Sequence, residues 1–126
     1  MSGDSEIGKI GWVDITAEDA PALRDFYKKV VGWEPDEVDM GGYADFNMTM
    51  PGDGAPAAGI CHARGGNSGL PTQWLIYIIV ADIEQSAAFC RDNGGSLLVE
   101  PKEADGGKIC VIKDPAGAVA ALYQPG

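Results

Sequence analysis

His62 is the one histidine in 126 residues, and it stands beside Cys61, so the first question is what chemistry these two side chains support. Imidazole titrates near neutrality and can carry a proton. A zinc site built on several histidines cannot be assembled from one, and a two-histidine, one-carboxylate site would need a second chain. Neighbours on a strand point to opposite faces, so Cys61 and His62 do not make a thiolate–imidazolium pair. His62 ends an apolar run and precedes Ala63-Arg64-Gly65-Gly66, so it is expected to face solvent, with proton transfer as its alternative role. The three cysteines Cys61, Cys90 and Cys110 are odd in number and lack CxxC spacing, which indicates neither a disulfide framework nor a zinc knuckle. Cys90 and Cys110 are read as small buried apolar groups. Gly41-Gly42, Gly52-Asp53-Gly54 and Gly65-Gly66 follow no nucleotide-binding spacing and read as turns, so no cofactor is expected.

The elements that must position these residues follow from periodicity. Lys9–Thr16 alternates, with Val13 and Ile15 on one face and Trp12 and Asp14 on the other, as a half-buried strand does. Leu23, Phe26, Tyr27 and Val30 recur at helical steps, giving an amphipathic helix over about Ala20–Val31 that tolerates Pro21 in its first turn and ends at Gly32. Strands are expected at Asp36–Asp39, Tyr43–Met50 and Ala57–Ala63. The pattern then restarts: strand Gln73–Val80, a helix opened by Asp82 and stopped at Gly94-Gly95, and strands Ser96–Glu100, Lys108–Lys113 and Ala118–Tyr123. A constant shift of 63 residues superposes Asp19 on Asp82, Phe26 on Phe89 and Gly32 on Gly95. Each pair has one mechanical part to play, as helix start, buried helix face and helix stop. Two strand–helix–strand–strand–strand modules, about 8–63 and 74–124, therefore describe one α+β domain of 126 residues. Asp114-Pro115-Ala116-Gly117 places Pro and Gly where a type I turn wants them.

Nine basic against nineteen acidic side chains leave a net charge of −10, which argues against nucleic acid and anionic membranes as partners. With 45% hydrophobic residues, a chain of this length builds a core without disulfides or metal. Met1–Gly8 is polar and acidic without signal-peptide character. The longest apolar stretch, Trp74–Ala81, is far short of the roughly 20 residues that span a bilayer. A cytoplasmic location is the expectation.

Ala17-Glu18-Asp19, Phe26-Tyr27, Gly32-Trp33, Val80-Ala81-Asp82, Asn93-Gly94-Gly95 and Asp114-Pro115-Ala116-Gly117 stand in an order and spacing that resembles the vicinal oxygen chelate superfamily. That superfamily includes glyoxalase I, bleomycin-type resistance proteins and ring-cleaving dioxygenases. The resemblance runs from about Ile10 to Gln124, and Trp74-Leu75-Ile76-Tyr77 looks like a branch of unassigned activity. It implies paired βαβββ modules whose curved mixed sheets enclose a cleft, commonly completed by a homodimer. Metal-dependent members place ligands at four strand positions. Carried across from the helix-opening aspartates, these fall on Trp12, Leu75, Ala121 and Ile60 or Cys61. Indole, isobutyl and methyl groups offer no lone pair to a divalent metal. The chain departs from the metal-binding pattern, so glyoxalase I or ring-cleaving dioxygenase activity is not expected.

Within the implied cleft, parity and the repeat direct Trp12, Asp14, Leu75, Tyr77, Ala121 and Tyr123 inward. Rings, aliphatic groups and one carboxylate suit a small organic ligand, aromatic or cationic, held by cation–π attraction over Trp12 with Asp14 nearby. Two other functions remain open. One is an isomerase, lyase or dioxygenase-type enzyme, with Asp14, Tyr77 or His62 moving a proton, or with a metal if the ligand positions are misplaced. The other is an interaction module whose aromatics fill the cleft. Phe46, Met48 and Met50 belong either to the cleft wall or to the core.

Overall fold

A computed structural model describes residues 6–104 and 106–126. The polar start over residues 1–5, read above for a signal peptide, lies outside them. The chain divides into two compact units, one of Val13–Trp74 and one that joins the residues up to Trp12 to Leu75–Gly126. The order is β1 (Ile10–Ala17), α1 (Ala20–Val31), β2 (Glu34–Asp39), β3 (Ala44–Thr49), β4 (Pro56–His62), β5 (Leu75–Ile79), α2 (Ile83–Asp92), β6 (Ser96–Ala104), β7 (Gly107–Lys113) and β8 (Val119–Gln124). This is the α+β, glyoxalase-like arrangement of two βαβββ modules. Among the described residues no helix is long and apolar enough to cross a membrane.

In the Val13–Trp74 unit the strands lie in the order β2-β3-β4-β1. β1 runs parallel to β4 with Ile15 opposite Ile60 and Thr16 opposite Cys61, while β3 is antiparallel to β4 with Phe46 opposite Ile60. α1 starts where Asp19 accepts the Ala22 N–H at 3.1 Å and stops at Gly32, whose φ of 87° is open to glycine. Its underside covers Ile15, Phe46, Met48 and Ile60, with Leu23, Tyr27, Trp33 and Trp74 packed against them. Phe46 and Met48 are therefore core, whereas Met50 is exposed. Tyr27, Trp33 and Trp74 form an aromatic triad with centroids 5.3–6.0 Å apart, and the Trp74 indole N–H donates to the Tyr27 hydroxyl at 3.1 Å.

In the other unit the strands run β5-β8-β7-β6. The start of β1 lies beside β5, joined by Gly8 N–H to Ile79 O and Ile79 N–H to Lys9 O. Asp82 caps α2 by accepting the Gln85 N–H at 3.1 Å, and α2 packs Ile83 against Cys110 and Leu122, flanked by Ile78, Val80 and Ile112. After α2 the chain must be glycine at Gly95, because an added Cβ would lie 2.6 Å from the Cys90 sulfur and 2.9 Å from the Lys113 carbonyl oxygen. Gly117 N–H donates to Asp114 O at 2.9 Å, closing the turn between β7 and β8.

Three sequence expectations are corrected. β6 continues past Glu100 to Ala104, because it pairs on one side only, with β7, and its register shifts between Val99 and Lys102 around Pro101. Phe26 and Phe89 are not buried helix faces but are 54% and 58% exposed, since each lies on the flank of its helix rather than over the sheet. Cys90 is half-buried rather than buried, while Cys110 is fully enclosed and desolvation pushes its thiol up to about 11.

Candidate functional site

The face of the β5–β8 pair turned away from α2 carries four of the residues expected to bind a ligand. The parallel register sets Tyr77 opposite Ala121 and Ile79 opposite Tyr123, while Ile78 and Leu122 face the helix. Alternation places Leu75, Tyr77, Ala121 and Tyr123 on one side. Leu75 and Ala121 are fully buried, and the tyrosines are half-buried beside them. Antiparallel pairing adds Val111 opposite Ala121 and Ile109 opposite Tyr123, so the apolar surface extends onto β7. Trp12, half-buried, lies near the end of this unit's part of β1.

Asp14 lies in the Val13–Trp74 unit, opposite Gly59 and away from the face that Ile15 and Ile60 turn to α1. The Cys61 thiol approaches its carboxylate at 4.0 Å. His62 is not solvent-facing as expected. Its side chain is 18% exposed, and Asp45 Oδ1 accepts the His62 backbone N–H at 2.9 Å and lies 3.2 Å from Nδ1. A carboxylate only accepts, so Nδ1 is the donor in this contact. Nε2 has no hydrogen-bond partner among the described residues. The imidazole lies 5.3 Å from the Tyr43 ring and 6.2 Å from Phe46, with Arg64 over Tyr43 at 4.5 Å and Arg24 over Phe46 at 4.8 Å. Sequence reasoning missed Asp45, Tyr43 and Arg64. The available signal was an acidic residue inside the apolar run of β3, a position that demands a partner.

The four strand positions to which the resemblance carries metal ligands hold Trp12, Leu75, Ala121 and Ile60 or Cys61; Leu75, Ala121 and Ile60 are fully buried hydrocarbon, and Ile60 faces α1. Cys61, one residue on from Ile60, is the only one with a donor atom. Among the described residues no three His, Cys, Asp or Glu side chains gather as a metal site would require. The donor set does not fit a divalent metal.

Residues 9–122 match the Glyoxalase/Bleomycin resistance protein/Dioxygenase superfamily, and the chain belongs to it. A Mycobacterium bovis protein named "Putative glyoxylase CFP32" is 30% identical over 119 residues, covering 93% of this chain and 46% of that protein. The Streptomyces peucetius "Anthracycline biosynthesis protein DnrV" is 28% identical over 117 residues, covering 93% of this chain and 42% of its own length. The chain thus spans about half the length of these curated relatives. A Streptomyces coelicolor methylmalonyl-CoA epimerase solved with 2-nitronate-propionyl-CoA superposes with a TM-score of 0.58 at 21% identity, covering 94% of this chain and 98% of that one. At that identity the likeness is one of fold.

Proposed function

We propose that this chain is a metal-independent member of the superfamily that binds a small aromatic or cationic organic molecule. The observation that carries the reading is that Trp12, Leu75 and Ala121, a ring and two hydrocarbon groups, stand at positions where the resemblance would put metal donors. Trp12, Tyr77 and Tyr123 supply ring faces over the floor made by Leu75 and Ala121, a lining of the kind small-molecule sites use. The anthracycline-biosynthesis relatives agree with an aromatic ligand. Calorimetry with a panel of cationic aromatics tests this: micromolar binding weakened by Trp12→Ala supports it, and no binding, or binding indifferent to that substitution, refutes it.

A second reading, an isomerase or lyase that moves a proton without a metal, is favoured by the orientation that the Asp45 carboxylate gives the His62 imidazole through Nδ1. Its test is solvent deuterium exchange into 2-oxo acids, abolished by His62→Gln. The superfamily resemblance implies a homodimer, which light scattering would read as twice the chain mass.

A further inference from the structure

The two modules fill the underside of their helices differently, and the difference leaves a groove. In the Val13–Trp74 unit, Leu23 and Tyr27 project from α1 and meet Trp33 and Trp74, so the space beside the sheet is packed with rings. The repeat shift of 63 places Ser86 at the position of Leu23 and Cys90 at that of Tyr27. The shift holds over the helices, whose N-caps Asp19 and Asp82 are 63 residues apart. Where α1 carries Leu23 and Tyr27, α2 carries the smaller Ser86 and Cys90, and these line a groove of about 340 Å³ together with Phe89, Ile112, Pro115 and Leu122.

We propose that this groove is a binding site for a planar aromatic molecule, neutral or cationic, distinct from the β5–β8 face. Its volume lies at the lower end of the range for small-molecule sites. The occupant's chemistry is set by the sister unit, in which Leu23 and the ring of Tyr27 take the corresponding positions. Phe89, 58% exposed at the edge, offers a ring wall that burial by a ligand would desolvate. No basic side chain lines the groove, and Asp114 does. One oxygen of Asp114 accepts the N–H groups of Ala116 and Ala118, so its negative charge is fixed by the turn. The groove therefore selects against anions.

The test is amide-resolved NMR of the full chain titrated with indole, tryptamine and indole-3-acetate into the millimolar range. Expected are shifts at Phe89, Cys90, Asn93, Gly95 and Ile112, with indole-3-acetate about tenfold weaker than tryptamine. Ser86→Leu with Cys90→Tyr copies the filling of the sister unit and should abolish those shifts. On the unaltered chain, indole should also slow alkylation of Cys90, which keeps the test decisive if the double variant does not fold. Absence of groove shifts with all three probes, shifts that survive the filling, or unchanged alkylation overturns the proposal. Shifts confined to Trp12, Tyr77 and Tyr123 overturn it while supporting the reading under Proposed function, and groove shifts alone do the reverse.

Discussion

Replacing Asp45 with alanine tests whether the His62 site is built or incidental. The residue is 7% exposed, and its Oδ1 serves two donors on His62, the backbone N–H at 2.9 Å and Nδ1 at 3.2 Å. Asp45→Ala removes the acceptor and leaves both donors. A hydrogen bond to a charged group contributes roughly 1.5–3 kcal/mol, and an orphaned buried donor costs a comparable amount. The ring loses less than the backbone N–H, because the imidazole edge reaches water. Relief of the buried carboxylate's desolvation offsets part of the loss. The net expectation is about 2–4 kcal/mol, and with an m-value of about 2 kcal/mol/M the urea midpoint falls by roughly 1–2 M. Asp45→Asn keeps a carbonyl oxygen at the same place and should lose less than half as much. Equilibrium urea unfolding followed by tryptophan fluorescence reads both variants. A loss below about 0.5 kcal/mol for the alanine variant, or equal losses for alanine and asparagine, would refute the assignment of Asp45 as the acceptor that fixes His62.

Two further outcomes follow from the α2 unit. The Cys110 thiol is raised to about 11 by burial, so the unfolded chain deprotonates first, near 9.0. The stabilisation is fully present below that value and is lost as pH rises toward about 11, amounting to roughly 2–3 kcal/mol. Urea midpoints measured across this range should fall more for the parent than for Cys110→Ala, and at neutral pH Cys90 should alkylate while Cys110 does not. Gly95→Ala forces a methyl group against the Cys90 sulfur and the Lys113 carbonyl oxygen, and should cost about 1–3 kcal/mol by the same unfolding assay. A neutral Gly95→Ala would show that the α2–β6 connection is looser than described.

Much of the fold was legible because its signals are local. Asp19, Asp82 and Gly32 mark helix ends through caps that need only a few neighbouring residues, and both helices lie where these marks put them. Phe26 and Phe89 were misjudged because periodicity counts apolar residues without saying where the stripe ends, and Leu23 and Tyr27 already suffice to cover the sheet in one unit. Pro101 reads as a strand end, yet an edge strand with a bulge accommodates it. His62 was placed in solvent because its partner is 17 residues away, across a strand pair whose register the sequence does not state. The groove beside α2 was equally hidden. A missing side chain is visible only when the two modules are compared as packed units.

Elemental analysis and ligand calorimetry on one purified sample, before and after chelation, test the central claim most directly. The account predicts less than stoichiometric Zn, Ni, Mn and Fe. It also predicts micromolar affinity for a cationic aromatic that chelation leaves unchanged and that Trp12→Ala weakens by about 2- to 30-fold. Stoichiometric metal whose removal abolishes binding would contradict it.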